Sequence, residues 1–374
     1  MYLDKLICPV SGSDLKVVKF KEFKSSNGNI YIDTGCMYSL ESMFYYPIIN
    51  GVPIMLTFET PLTKRFEIKN KNLLKKLPNG LKLPNLKPMQ GEKSIQETFT
   101  EEWSGLGDDE IVFAYNEEEG FLLHKDVWLQ MGEEECKEID SVLDVGCGFG
   151  KEAEYLAKIF ENSMVYAFDL NLAVVASGLK LLNTERIIPV VASLYKMPYK
   201  DNSFDHVHCQ GVIHHTFSTK AGFDSIEKKV KNNGSLFIWV YAWEDSFGIN
   251  GFRGFLVHTY YFISHRFFRP ILSRAPSFIR NPVVHLITIL YHPLIRNRGS
   301  NRGRWKYQHT LHAVRDMFTP MFAHRHRFNE VFLWFQDSKY KNIVFQSAKK
   351  YQELFDRKII GIGFKGTKDN ESQR

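Results

Sequence analysis

The residues with the clearest chemical potential are an acid near the end of an apolar run and the glycines that follow it. Val142, Leu143 and Val145 flank Asp144, and Gly146, Gly148 and Gly150 come next at alternate positions. Such a run reads as a buried strand. The glycines permit a tight turn and close approach of backbone to a ligand. Glu152, Ala153, Leu156 and Ala157 then carry the chain into a helix whose N-terminal amides would face that ligand. A dinucleotide fingerprint, G-x-G-x-x-G, would need glycine where Lys151 stands. The pattern here is D-x-G-x-G-x-G. An acidic strand end suits a cofactor bearing an ammonium, a sulfonium and a ribose better than it suits pyrophosphate, which points to S-adenosylmethionine. The simpler alternative is a structural glycine turn.

The elements that must position these residues follow in order. Met164 to Asp169 reads as a second strand ending in a carboxylate, placed where an acid can accept from ribose hydroxyls. Asp169 and Asn171 equally suit a helix N-cap. Ile187 to Ala192 reads as a third strand and Phe204 to Val212 as a fourth, running out into His214, His215 and Thr216. A helix-like segment reaches Asn232-Asn233-Gly234, and Ser235 to Tyr241 is a fifth strand. Strands alternating with helices at this spacing predict an α/β fold with a doubly wound, mostly parallel sheet.

These motifs resemble the class I S-adenosylmethionine-dependent methyltransferases of the type 11 group. The resemblance rests on residues 142–150, Asp169, Met197-Pro198-Tyr199, Asp201-Asn202-Ser203-Phe204-Asp205, and Gly211 through Thr216. It implies a Rossmann-like sheet of seven strands covering residues 96–245 and 329–366. It also implies that Asp144, Gly146, Gly148 and Gly150 surround the methionine moiety and that Asp169 holds the ribose. Ser193 and Leu194 would lie against adenine, with Leu170 and Gln210 completing the cofactor contacts. Many relatives carry Asp where Ser193 stands; a hydroxyl accepts the same bond without charge assistance.

Around this core lie additions. Residues 1–57 form a small β-rich unit with Cys8-Pro9-Val10-Ser11-Gly12, Cys36 and Tyr46 to Ile54. It resembles the zinc-ribbon-derived module that serves as an activating partner of several methyltransferases. Only Cys8 and Cys36 remain as thiols there, and two cannot complete a tetrahedral zinc shell, so a degenerate module without metal is expected. Residues 58–95, rich in Lys, Asn and Pro, read as a solvated, semi-rigid linker or a basic contact surface. Residues 96–135 set Phe99, Trp103, Phe113, Tyr115 and Trp128 among acids, as amphipathic helices packing on the core or closing over the cofactor would.

Residues 246–328 form a helical cap insertion with 12 Arg and 1 Lys against one acid, Asp316, and eight of the chain's 13 His. Basic residues interleave with aromatics from Tyr260 and Tyr261 to Arg269, and Pro270, Pro276, Pro282 and Pro293 are expected to break the segment into short helices. Such a surface suits peripheral contact with a membrane, a phosphate-bearing ligand, or solvent alone. Asn342 to Ser347 and Ile359 to Phe364 are the expected last strands, and 367–374 a disordered tail. The five cysteines show no paired spacing, so a disulfide framework is not expected. The N-terminal residues lack signal-peptide character and no apolar run is long enough to span a bilayer, so a cytoplasmic protein is expected.

Methyl transfer to a hydroxyl needs a base for its proton. His214 and His215 follow the fourth strand at the ligand-binding end of such a sheet, and either is a candidate; His324 and His326, with Arg325 and Arg327, are weaker candidates for acceptor binding. The expectation is a methyltransferase acting on a hydroxyl of a saccharide or other small molecule, including one linked to lipid or phosphate. The alternatives are a tRNA or rRNA methyltransferase, weakened by the lack of a recognised RNA-binding motif, and a non-catalytic binding protein that retains the fold.

Overall fold

Near the N-terminus, runs rich in β-branched and aromatic residues pair as β1 (Lys16–Lys24), β2 (Ile30–Ser39), β3 (Phe44–Ile49) and β4 (Val52–Pro53), an antiparallel sheet in that order. Helix α1 (Pro61–Lys69) starts where Thr60 and Thr63 form a capping box around Pro61. The chain continues through α2 (Glu92–Ser104), β5 (Ser141–Val145), α3 (Lys151–Ile159), β6 (Met164–Asp169), α4 (Val174–Leu182), β7 (Ile187–Val191) and β8 (Phe204–Gln210). It ends with α5 (Thr219–Glu227), β9 (Val230–Tyr241), α6 (Gly251–Ile263), α7 (Ser277–Ile295), α8 (Tyr307–Phe318), α9 (Phe328–Asp337), β10 (Tyr340–Phe345), α10 (Ala348–Phe355) and β11 (Gly361–Lys368). This computed structural model describes residues 2–104, 115–243, 251–297 and 303–369, without the side chains at 253, 254, 256, 257, 260 and 261. Phe113, the side chains of Tyr260 and Tyr261, residues 246–250 of the cap and the tail after 369 lie outside the described residues.

Seven strands form one mixed sheet in the order β10-β11-β9-β8-β5-β6-β7. Its centre is parallel, β5 pairing with β6 and β8 and β6 with β7, while β10 and β11 pair antiparallel at the far end. This is the doubly wound, Rossmann-like sheet expected from the strand–helix alternation. The order reverses between β5 and β8, so the carboxyl end of β5 opens at a switch point, where open α/β sheets bind ligands.

The chain divides into two compact units: Met1–Met89 with Glu134–His208 and Asp224–Ser235, and Gln90–Glu133 with Cys209–Phe223 and Leu236–Arg374. In the first, all five residues of β5 and of β7 are buried, which explains their near-continuous apolar sequence. The N-terminal sheet is packed onto this core rather than set apart from it. Ile54 bridges Val191 in parallel, the Met55 amide donates to the Val191 carbonyl at 2.6 Å, and the Ile7 amide donates to Pro198 at 2.9 Å. It thereby covers β7, an edge strand whose open backbone groups would otherwise invite pairing. Gly178 of α4 faces the Asn50 carbonyl and Val52, where a Cβ has no room. Nor is the 58–95 segment a solvated connector throughout. Phe66 of α1, Leu77 and Leu83 are buried in a cluster with Cys36 and Tyr45, because these apolar side chains, set among the lysines, have the N-terminal sheet to pack on.

In the second unit, Val284 of α7 packs with Val314 and Phe318 of α8 and with Leu272. Pro282 and Pro293 do not break the helix as expected; both lie inside the 19-residue α7. Proline's φ is helical, and each interior proline costs about 3 kcal/mol, which packing along α8 offsets. β8 stops at Gln210 rather than Val212, since Gly211 turns the chain at φ 76°. β9 begins at Val230, earlier than the Asn-Gly signal implied: Asn233 takes a left-handed φ of 60° within the strand. Thr367 and Lys368, expected in a loose tail, belong to β11 and pair with Lys341 and Tyr340.

Candidate active site

The glycine turn is built at the end of β5 in the first unit. Gly146, Gly148 and Gly150 all have left-handed φ values of 84°, 60° and 101°. The Gly146 amide donates to the Phe168 carbonyl at 2.8 Å, tying the turn to β6. Gly150 opens α3, and a Cβ there would meet Leu181 at 2.6 Å, so this position needs glycine for both conformation and space.

Asp169 does more than end β6. One carboxylate oxygen accepts from the Gly148 amide and the other from the Asn171 amide, both at 2.8 Å. Asn171 in turn accepts from the Ala173 amide at 2.7 Å. Asp169 is thus not the N-cap of α4, a place that Ala173 takes without a side-chain bond; it clips the glycine loop and the turn that follows, while each oxygen keeps lone-pair capacity for a ligand hydroxyl. Burial raises its pKa to about 6, against the lowering effect of these amides.

Asp144 is different. It is fully buried, and among the described residues neither carboxylate oxygen has a hydrogen-bond partner. Burial, and after it the charge of Asp169, pushes its pKa up to about 8. An orphaned carboxylate of this kind is expensive unless a donor arrives. Glu152, in the first turn of α3, has its pKa raised by burial and then by Asp144 and Asp169. Three carboxylates thus influence one another at this turn, an acceptor set that fits a ligand carrying cationic and hydroxyl groups. Glu152 is not among the cofactor contacts expected from sequence; its position in the first turn after the glycines is the available signal.

The other expected cofactor contacts in this unit are buried or half-buried. Leu170 follows Asp169, and Ser193 and Leu194 follow β7. The Ser193 hydroxyl accepts from the Tyr195 amide at 3.2 Å, and the Leu194 carbonyl accepts from the Ser225 hydroxyl at 2.7 Å. Gln210 ends β8 within the second unit.

The two histidines, both in the second unit, have opposite surroundings. His215 places Nδ1 at 2.9 Å from the Phe322 carbonyl and Nε2 at 3.1 Å from the Asp316 carboxylate. Both ring nitrogens are thus turned to protein acceptors rather than to a ligand. His214 is fully buried, with ring centroids 3.9 Å from Tyr241 and 4.3 Å from His215, and neither of its nitrogens has a partner among the described residues. Burial first, then the positive charges of His215, His326, Arg269 and Arg325, depress its pKa well below the usual range and leave the ring neutral.

Asp316 organises this cluster. Besides His215 it accepts from the Tyr241 hydroxyl, while its backbone carbonyl accepts from the buried Arg269 at 2.9 Å. Arg269 also donates to the carbonyls of Pro320 and Phe322, at 3.2 Å each. Burial alone would raise the Asp316 pKa, but hydrogen bonds and charge from His215, Tyr241 and Arg269 hold it below the carboxylate range. Asp316, Tyr241 and Arg269 are not among the candidates that sequence supplies. The signal is present in part, since Asp316 is the single acid in the basic segment.

His324 and His326 brace the adjacent chain: His324 donates to the Thr216 carbonyl at 3.0 Å, and His326 lies 2.9 Å from both Glu330 and the Thr219 hydroxyl. Arg325 donates to the Ala242 carbonyl at 2.8 Å, and Arg327 is exposed. Several cap arginines are already matched with acids. Arg280 grips Glu101 with two bonds, at 2.7 and 3.2 Å, and Arg304 grips Glu119 at 2.9 and 3.1 Å. Arg315 reaches Glu101 at 3.5 Å, and His312 lies 3.3 Å from Glu102. Trp103, half-buried, packs edge-on against His312, and Tyr115, also half-buried, packs at a tilt against Phe355.

Comparison with known proteins gives four findings. Residues 143–238 match the family model described as a methyltransferase domain. An uncharacterised protein of Methanocaldococcus jannaschii is 35% identical over 120 residues, 32% of this chain and 48% of its own length. The malonyl-[acyl-carrier protein] O-methyltransferase of Legionella pneumophila is 31% identical over 96 residues, 25% of this chain and 34% of its own. The chain therefore spans less than half the length of these curated relatives. Among solved structures, phosphoethanolamine N-methyltransferase 2 of Haemonchus contortus, in complex with phosphomonomethylethanolamine and S-adenosylhomocysteine, superposes with a TM-score of 0.43 at 15% identity. That superposition covers 76% of this chain and 62% of the other.

Proposed function

We propose that this chain, whose residues 143–238 match a methyltransferase-domain model, is a class I S-adenosylmethionine-dependent methyltransferase that methylates a hydroxyl of a saccharide or other small-molecule acceptor, lipid- or phosphate-linked acceptors included. One observation carries the cofactor assignment: among the described residues the buried Asp144 carboxylate has no hydrogen-bond partner, and it stands beside the glycine turn. In this reading Asp144 takes the ammonium of the methionine moiety, the Asp169 oxygens take the ribose hydroxyls, and Leu170, Ser193, Leu194 and Gln210 complete the contacts. S-adenosylmethionine, when bound, supplies a methyl group on a sulfonium centre.

His214 is the proposed acceptor of the hydroxyl proton, since it is neutral and neither of its nitrogens has a partner among the described residues, whereas His215 is held by Asp316 and Phe322. Its depressed basicity limits what it contributes, because general bases work best with a pKa near the operating pH. Residues 1–57 are read as a fused module of the methyltransferase-activator type. Support comes from the four-stranded sheet lying on β7, and from Cys8, whose thiol sits 3.3 Å from the hydroxyls of Ser42 and Tyr46. Burial opposes ionisation of Cys8, but bonds from Ser11, Ser42 and Tyr46 bring its pKa down to about 7.

Calorimetric titration with S-adenosylmethionine and S-adenosylhomocysteine tests the reading, followed by transfer of a labelled methyl group to saccharide and lipid-linked acceptors. Saturable binding of both is expected, and His214→Ala should preserve it while slowing transfer roughly a hundredfold. If neither compound binds, the proposal is wrong.

A further inference from the structure

The cap wears its apolar residues outward. On α7, Val284 packs against α8 and Thr288 is buried, yet Phe278, Leu286, Leu290 and Leu294 are 76, 58, 68 and 62% exposed. The last three recur every fourth residue and so form one stripe, about 12 Å from Leu286 to Leu294 at 1.5 Å per residue. α6 adds Phe252 and Phe262, 77 and 64% exposed. A helix that is apolar on both faces needs a partner on each, and α8 supplies only the inner one. The arginines have been sorted the opposite way: Arg269, Arg280 and Arg315 are buried on inward partners.

We infer that the outward faces of α6 and α7 dock this protein on the interface of an anionic lipid bilayer. Charge selects that occupant. Arg274 lies just before α7, Arg296 just after it and Arg266 beyond α6, all exposed, and positions 246–315 contain no Asp or Glu. A second copy of this face would set these cations against their own kind, whereas lipid phosphates would neutralise them. Among the described residues no helix is long and apolar enough to cross a membrane, and α7 is held by α8 along its inner face. The helices therefore lie in the interface plane, with their exposed side chains among the acyl chains.

Flotation with phosphatidylcholine vesicles, with and without phosphatidylglycerol, tests this independently of any methyl transfer. The full chain should float with the mixed vesicles and much more weakly with phosphatidylcholine alone. Paired Leu290→Asp and Leu294→Asp substitutions should lower partitioning roughly a hundredfold, and Arg274→Gln with Arg296→Gln by roughly fivefold per arginine. All four side chains are exposed, so circular dichroism should match the unaltered protein. Three results would overturn the inference: no flotation with either vesicle, flotation indifferent to the leucine pair, or a concentration-dependent dimer that Leu290→Asp dissolves.

Discussion

Replacing Asp144 by asparagine (Asp144→Asn) keeps the shape of the side chain and removes its charge. With the pKa raised from 3.8 to about 8 in the fold, folded and unfolded chains differ between those two values, the folded one holding a proton that the unfolded one has lost. Stability therefore falls as pH rises through that window, by about 1.4 kcal/mol per pH unit. By pH 7 the accumulated loss is on the order of 4 kcal/mol. The variant would escape it, while leaving a buried amide without a partner at a cost of about 1–3 kcal/mol. The ligand-free variant should thus be more stable than the parent near neutral pH by about 2 kcal/mol, a rise in Tm of several degrees. Cofactor binding should move the other way. An ammonium pairs with the ionised carboxylate, so binding below pH 8 must expel the Asp144 proton. Calorimetry in two buffers of different ionisation enthalpy reads that proton directly. The variant should release none and should bind about 10- to 100-fold more weakly, the worth of a charged hydrogen bond. If parent stability does not fall between pH 5 and 8 and the variant binds as well as the parent, the reasoning fails.

Asp169→Ala frees the buried amides of Gly148 and Asn171, at about 1–3 kcal/mol each, and should weaken S-adenosylmethionine by well over tenfold in the same titration; unchanged affinity would deny the ribose assignment. Asp316→Asn leaves His215 and Arg269 without their counter-charge and should destabilise by about 3–5 kcal/mol. Because the folded pKa of Asp316 is depressed, its contribution is present above the ordinary carboxylate range and is lost as pH falls through the folded value. Denaturant midpoints should therefore separate the variant from the parent at neutral pH and converge in strong acid. Equal midpoints at neutral pH would contradict the role given to Asp316.

The amino-acid sequence by itself determined the parallel core and the glycine cradle, because both are local. Buried strands announce themselves as apolar runs, and a turn of left-handed residues at 146, 148 and 150 admits little but glycine. Strand ends moved by a few residues where backbone conformation at Gly211 and Asn233 intervened. The helix through Pro282 and Pro293 was illegible for another reason: the local preference against proline is outweighed by packing along α8. Tertiary structure alone decided which charges meet. Glu101 and Arg280 stand 179 positions apart, and His215 and Phe322 107 apart. Residue type declares that a carboxylate or an imidazole needs a partner, but only the folded chain supplies one. That is why His215 is occupied and its neighbour His214 is not, why the cap arginines turn inward, and why the outer face of α7 is left apolar.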